Sequence, residues 1–181
     1  LLTAPNNLIG GTANGAGNVI SGNGPGIDVD GTASTGNRVE GNYIGTNAAG
    51  SSALGNLGNG VELFGSGIFK EDTAAGAGNV IYGNGQHGVM ILNGMNNNLV
   101  QGNRIGTAVD GTTPIPNLDT GVYLSGAEDN TIGGLAAGSG NIIGFNSNSG
   151  IFVLTGSGNS FYSNSIFDNG GLGIDLSFGG V

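Results

Sequence analysis

The sequence predicts an all-β fold, a right-handed, single-stranded parallel β-helix of about six rungs with three short strands in each rung. Two observations predict it. Three short segments recur six times along the 181 residues, and this recurrence aligns 24 positions into four columns that hold only aliphatic residues or Phe. A repeat of about 30 residues is too short to bury its own apolar side, so the repeats must stack to share one core.

The recurring segments, called B, C and A in chain order, are each predicted to be a strand. Segment B begins at residues 7, 37, 67, 98, 130 and 159; segment C, Asn-x-Ile, at 18, 42, 79, 103, 141 and 164; segment A, Gly-aliphatic-x-aliphatic, at 26, 60, 88, 121, 150 and 173. Short alternating runs bounded by Gly or Asn are typical of strands. Each strand is expected to pair in parallel with its equivalent one rung on, and crossovers between parallel strands are almost always right-handed.

Asn residues mark the corners between the predicted strands. Those that open segments B and C, and those in the turns at Asn23, Asn84 and Asn146, are expected to stack as side-chain amide ladders. Asn and Gly, of which the chain has 41, also tolerate the left-handed backbone that tight corners need. The high Gly and Asn content is therefore explained by the corners of the fold and does not indicate disorder.

The connections follow a two-rung rhythm. From segment B to segment C the spacing is 11, 5, 12, 5, 11 and 5 residues, and from C to A it is 8, 18, 9, 18, 9 and 9. Long loops of one kind are then two rungs apart, about 10 Å, which is the spacing of packed layers. We expect them to form a side wall over the outward residues of segment C.

Composition excludes several classes of function. Twelve Asp and Glu against three Lys and Arg give a formal charge of −9, which disfavours nucleic acid and anionic membranes as partners. The chain has no Cys, hence no disulfide scaffold, and no apolar run long enough to insert into a membrane. It opens inside a repeat and stops just after a segment A, so we expect residues 1–181 to be an excerpt of a longer repeat protein with unpaired strand edges at both ends.

Three strings carry a resemblance to a known family: GNVISGN at 17–23, GNYIGT at 41–46 and NGGLGIDL at 169–176. They resemble the repeats of bacterial cell-surface and secreted proteins with right-handed parallel β-helices, in the broad pectate-lyase-like superfamily. The resemblance covers essentially the whole chain and implies an extracellular or cell-surface location. It also implies an adhesive, structural or carbohydrate-associated role, whereas the enzymes of the superfamily cleave or epimerise acidic polysaccharides.

The lyases of that superfamily pair a calcium cluster with an Arg or Lys base, and the cations of this chain do not match such a site. The chain has only Arg38, Lys70 and Arg104. The alternation directs Arg38 and Arg104 outward on different sheets, and we expect both to be solvated surface residues. His87 precedes the Gly of a segment A and is expected to be an exposed corner residue, without the partners of a catalytic triad.

The outward column of segment A holds the most informative polar residues. Asp28 and Glu62 fall in adjacent rungs, with Asp30 on the same strand as Asp28. Neighbouring like charges cost about 0.2–1 kcal/mol unless something compensates. Three interpretations follow: solvated repulsion without function, a Ca²⁺ site with carboxylate ligands, or an acid and base pair for glycoside hydrolysis.

The same column continues with Met90, Tyr123 and Phe152. Three large outward apolar side chains in consecutive rungs are unusual on a bare surface. A loop or a neighbouring domain of the parent chain would cover them, or they would form a platform for stacking sugars or docking a protein.

The sequence as a whole favours a non-catalytic structural or adhesive β-helix segment of a bacterial surface or secreted protein. We expect such a segment to need no cofactor, unless the carboxylates bind Ca²⁺. Its expected partners are a polysaccharide or neighbouring domains of the parent chain. The alternative is a carbohydrate-active β-helix, binding, lyase or hydrolase-like, with its site near Asp28 and Glu62.

Overall fold

The computed structural model describes residues 4–31, 33–64 and 76–176. Over these ranges the chain forms strands and no helix, and all strand pairs in the sheets are parallel. Each strand pairs with its equivalent in the next rung, so the three segments give three sheets around one core. The predicted parallel β-helix is confirmed.

The sheets are named after the segments that form them. Sheet A contains β3 (Ile27–Asp30), β6 (Val61–Phe64), β8 (Val89–Ile91), β11 (Val122–Ser125), β14 (Ile151–Thr155) and β17 (Ile174–Leu176). Sheet C contains β2 (Val19–Ile20), β5 (Tyr43–Ile44), β7 (Val80–Ile81), β10 (Arg104–Ile105), β13 (Ile142–Gly144) and β16 (Ser165–Phe167). Sheet B is described in two parts, β1 (Leu8–Gly10) with β4 (Arg38–Glu40), and β9 (Leu99–Val100), β12 (Thr131–Gly133) and β15 (Ser160–Tyr162). The third predicted segment B, at 67–69, lies outside the described residues, as do the two chain ends, 1–3 and 177–181.

The core is a set of in-register columns, of which the isoleucine column of sheet C is the clearest. The strand pairing aligns Ile20, Ile44, Ile81, Ile105, Ile143 and Ile166 one to one. The four inner members are fully buried, and the two in the end rungs are partly buried. All six side chains therefore face the core, and the predicted inward column is confirmed.

Two continuous amide ladders hold the corners on either side of sheet C. In the first, the side-chain Nδ2 of each Asn donates to the Oδ1 of the next at 2.8–3.0 Å, through Asn18, Asn42, Asn79, Asn103, Asn141 and Asn164. In the second the same contact is 2.9–3.2 Å, through Asn23, Asn56, Asn84, Asn117, Asn146 and Asn169. The first ladder was predicted in full. The sequence pointed to three members of the second, and the structure adds those from the even rungs.

The long connections of rungs two and four fold over sheet C. Each closes with an antiparallel bridge, Thr46 to Ala53 and Thr107 to Pro114. A Cβ added to Gly50 would be 2.5 Å from Tyr43 Cε1 and 2.6 Å from Val109 Cγ1, so the first loop packs on sheet C and against the second loop. This contact agrees with the predicted side wall and leaves sheet A as a separate surface.

Candidate functional site

The outward side of sheet A, here called the A face, carries the residues that the sequence singled out. The strand register places its members next to one another in the order Asp28, Glu62, Met90, Tyr123, Phe152 and Asp175. The predicted adjacency of Asp28 and Glu62 is therefore confirmed. Asp30 continues on β3 opposite Phe64.

An aromatic cluster occupies the middle of the A face. The Tyr123 ring is stacked on the His87 imidazole, with centroids 4.5 Å apart and planes 9° from parallel. On its other side Tyr123 contacts Phe152, with centroids 5.8 Å apart and planes tilted by 41°. Met90, Tyr123 and Phe152, the apolar strip, are all only partly buried. Some of each side chain therefore stays accessible to a ligand.

His87 was expected to be an exposed corner residue, and that expectation is wrong. Its side chain is only 14 % exposed, because it turns from the corner onto Tyr123 in the next rung. The Thr120 backbone N–H donates to His87 Nδ1 at 3.3 Å, which places the proton of the neutral ring on Nε2. Burial lowers the pKa of His87, and the carboxylates of Asp119 and Glu62 oppose that shift without reversing it.

Asn59 links His87 to the carboxylate pair, and the sequence reasoning missed this role. Its buried amide accepts a hydrogen bond from the His87 backbone N–H at 2.9 Å and donates one to Glu62 Oε1 at 2.7 Å. The same Nδ2 lies 3.5 Å from Met90 Sδ. Asn59 occupies the position before the Gly of segment A, one rung before His87, and this shared position was the available signal.

Asp28 and Glu62 differ in environment although they are neighbours. Partial desolvation raises the pKa of Asp28, and the Glu62 and Asp30 carboxylates add to the rise. Glu62 is instead held by the Asn59 amide. A carboxyl whose pKa is raised beside a second, hydrogen-bonded carboxylate is found in acid and base pairs, and it also arises from simple crowding of charge.

Two more carboxylates lie around the apolar strip. Asp119 Oδ2 is 3.8 Å from His87 Nδ1, and Asp119 Oδ1 accepts a hydrogen bond from Asn148 Nδ2 at 3.1 Å. Asp175 follows Phe152 in the column. In the described part of the chain, no three acidic or His side chains are grouped so that they could hold a metal ion. The Ca²⁺ hypothesis for Asp28, Asp30 and Glu62 stays a prediction that the solution test below addresses.

The expectation of solvated surface arginines fits only one of the two described: the Arg38 side chain is 42 % exposed, although it is ion-paired, whereas Arg104 is partly covered. Arg38 Nε donates to Glu40 Oε1 at 2.6 Å, and that carboxylate is almost fully buried. Two positions apart on β4, both side chains leave the same side of the strand, a signal that was present in the sequence. Arg104 is half-buried on sheet C, where a Cβ on Gly111 of the overlying loop would be 3.8 Å from its Nε. Lys70 lies outside the described residues.

Comparisons with models of protein families, with curated proteins and with solved structures found no match to this chain. Among the described residues no helix is long and apolar enough to cross a bilayer. Functional interpretation therefore depends on the A face itself.

Proposed function

We propose that this chain is a rigid, non-catalytic β-helix segment of a bacterial surface or secreted protein, and that its A face is an adhesive surface. The observation that carries the proposal is the partly exposed apolar strip, with His87 stacked against its central ring. Aromatic side chains on one side of a sheet suit stacking on the C–H faces of sugars. A polysaccharide is accordingly the proposed partner, with a neighbouring domain of the parent chain as the other.

The packing beneath the A face supports a role that needs stiffness. Each strand is hydrogen-bonded to the equivalent strands of the neighbouring rungs, and the Asn side chains at the corners are also hydrogen-bonded from rung to rung. Both the strands and the corners are therefore fixed in place. Rings mounted on such strands lose little further conformational freedom when they bind, which lowers the entropic cost of association. The same rigidity suits a spacer that carries an adhesive surface away from a cell.

The alternative function is a carbohydrate-active enzyme with its site at Asp28 and Glu62. The raised pKa of Asp28 beside a hydrogen-bonded Glu62 is the specific observation in its favour. In such a site the protonated Asp28 would be the general acid and Glu62 the base or nucleophile.

Retention of the protein on immobilised polysaccharides, with a reducing-sugar assay on the same samples, tests the two functions. We expect retention without turnover. Tyr123→Ala should abolish retention, whereas Tyr162→Ala, a matched exposed tyrosine on β15 of sheet B, should not. Equal retention of both variants would refute an adhesive A face. Turnover that disappears in the Asp28→Asn/Glu62→Gln variant would establish the enzymatic alternative instead.

A further inference from the structure

Negative charge surrounds the apolar strip of the A face. Glu62 is the register neighbour of Met90, and Asp175 is that of Phe152, so a carboxylate lies beyond each end of the strip. Asp119 lies beside His87 at the edge of the strip, 3.8 Å from the imidazole nitrogen. Asp28 adds a further carboxylate next to Glu62. A ligand stacked on the rings is therefore close to negative charge on several sides.

No described cation on the A face balances these carboxylates. Arg38 belongs to sheet B and pairs with Glu40, and Arg104 belongs to sheet C. His87 contributes no positive charge at neutral pH, because burial holds its pKa below the ordinary value of 6.5 and its Nδ1 accepts a hydrogen bond. Such a surface repels carboxylated polysaccharides and attracts ammonium groups.

The carboxylates are distributed along the A face. Asp28 and Asp175 are five rungs apart, about 24 Å at a strand spacing of about 4.8 Å. Within the described residues they form no group of three that could hold a metal ion. A spread of this kind fits an extended ligand with several positive charges better than a single divalent ion.

We propose that the A face binds a polysaccharide with free ammonium groups, a polymer of amino sugars. This inference rests on the proposed adhesive function and names the class of its ligand. The apolar C–H faces of the sugar rings pack against the parts of Met90, Tyr123 and Phe152 that stay accessible, and the ammonium groups bond to the flanking carboxylates. Glu62, fixed by Asn59, and Asp119, fixed by Asn148, supply oriented acceptors.

A lysine-rich peptide could pair with the carboxylates but would pack poorly on the aromatic rings. Its ammonium groups are carried on flexible stems that lose rotamer freedom on binding, and it presents no rigid flat face to Tyr123. Amino-sugar rings are already rigid and place the ammonium next to an apolar ring face. The structure therefore favours the polysaccharide over the peptide.

Calorimetry on the full 181-residue chain tests the proposal with four probes of equal length: a glucosamine oligomer, its N-acetylated form, a galacturonate oligomer and oligolysine. We expect the glucosamine oligomer to bind most tightly and its affinity to fall with salt. The Asp28→Asn/Glu62→Gln variant should bind it about tenfold more weakly, as expected for two lost exposed ion pairs. The Tyr123→Ala variant should lose binding.

Matched variants control for net charge and for aromatic content. Glu128→Gln/Asp129→Asn removes two exposed carboxylates from the corner between sheets A and B, and Tyr162→Ala removes an aromatic residue from sheet B. Both should bind like the unaltered chain. A tenfold loss in the Glu128 and Asp129 variant would mean that only overall charge matters, which overturns the proposal.

The remaining outcomes separate this inference from the proposed function. If the N-acetylated or galacturonate oligomer binds as tightly through Tyr123, the amino-sugar inference is wrong and the adhesive A face stands. If oligolysine binds as tightly as the glucosamine oligomer, recognition is of charge alone and the inference is likewise wrong. Absence of binding by every probe overturns the inference, and unchanged retention of Tyr123→Ala on polysaccharides overturns the adhesive function as well.

Discussion

Replacement of Asn103 by Ala tests whether the amide ladder stabilises the fold as a continuous element. Asn103 is fully buried in the fourth rung. Its Oδ1 accepts from both the backbone N–H and the side-chain Nδ2 of Asn79 at 3.0 Å. Its Nδ2 donates to Asn141 Oδ1 and to the Gln101 carbonyl, also at 3.0 Å. Alanine removes these four contacts and keeps the backbone N–H that donates to Asn141 Oδ1 at 2.9 Å.

The size of the destabilisation depends on which hydrogen-bond partners of the Asn103 side chain keep another bond in the variant. Asn79 Nδ2 still donates to the Val39 carbonyl at 2.8 Å, whereas the Asn79 N–H loses this acceptor in a buried position. An orphaned buried donor costs about 1–3 kcal/mol, and each further lost hydrogen bond about 0.5–1.5 kcal/mol. With the bonds to Gln101 and Asn141 also lost, we expect Asn103→Ala to lower the free energy of unfolding by about 2–6 kcal/mol.

Asn18→Ala is the matched control, because it removes the same side chain from the exposed first rung of the same ladder. It loses the 2.9 Å bond from Nδ2 to Asn42 Oδ1, while that oxygen keeps the Asn18 backbone N–H. We expect a cost below about 1 kcal/mol. Urea unfolding followed by circular dichroism measures both variants, and amide exchange should become faster at Asn79 in Asn103→Ala. Equal costs for the two variants would refute the cooperative ladder.

The other predictions concern the core, the carboxylates and His87. Ile105→Ala should cost about 2–5 kcal/mol in urea unfolding, and Val19→Ala, on the outward side of the same sheet, less than about 0.5 kcal/mol; similar values would mean that the inward column does not carry the stability. Asp28→Asn/Glu62→Gln should leave stability unchanged or slightly raised at neutral pH, because the raised pKa of Asp28 marks an ionised form that folding disfavours. Melting curves should not respond to Ca²⁺; a rise of about 2.7 kcal/mol at 100 times the dissociation constant, lost in that variant, would instead establish a calcium site. Since burial holds the folded pKa of His87 below its ordinary value of 6.5, protonation of His87 should reduce stability as pH falls from 6.5 towards the folded pKa. The free energy of unfolding, measured in urea across that pH range, should decrease with falling pH, and His87→Gln should remove this dependence. An unchanged pH dependence in the variant would mean that another group is responsible for it.

Sequence reasoning identified the strands because the repeat displays each inward position six times. Ile81 and Ile105 are adjacent in the structure because equivalent strands pair in register, and equivalence is visible in the sequence. The adjacency of Asp28 and Glu62 was predictable for the same reason. Positions on strands were therefore assigned with the correct side and the correct neighbour.

Corner residues were less predictable, because strand alternation does not fix the backbone direction there. The second amide ladder includes Asn56 and Asn117 from the long even-rung loops. Both stand four residues before the Gly of segment A, as Asn84 does, so a signal was present in the sequence, although loops of unequal length obscured it. His87 has the same spacing to its strand as Thr120, yet its ring turns onto Tyr123 in the next rung. Only the folded corner brings these groups together.

The sequence by itself determined the rung, the sheets and the outward column of the A face, because a period-two strand pattern repeated in register leaves no other arrangement that buries the aliphatic columns. The tertiary structure alone decided how the corner side chains meet that column: the His87 stack, the Asn59 link to Glu62 and the Asp119 contact. The two His87 contacts join neighbouring rungs, and the Asn59 contact joins a corner to the strand that follows it. Their geometry depends on the corner backbone and on side-chain rotamers. Those angles are set by packing between rungs, which no single repeat encodes.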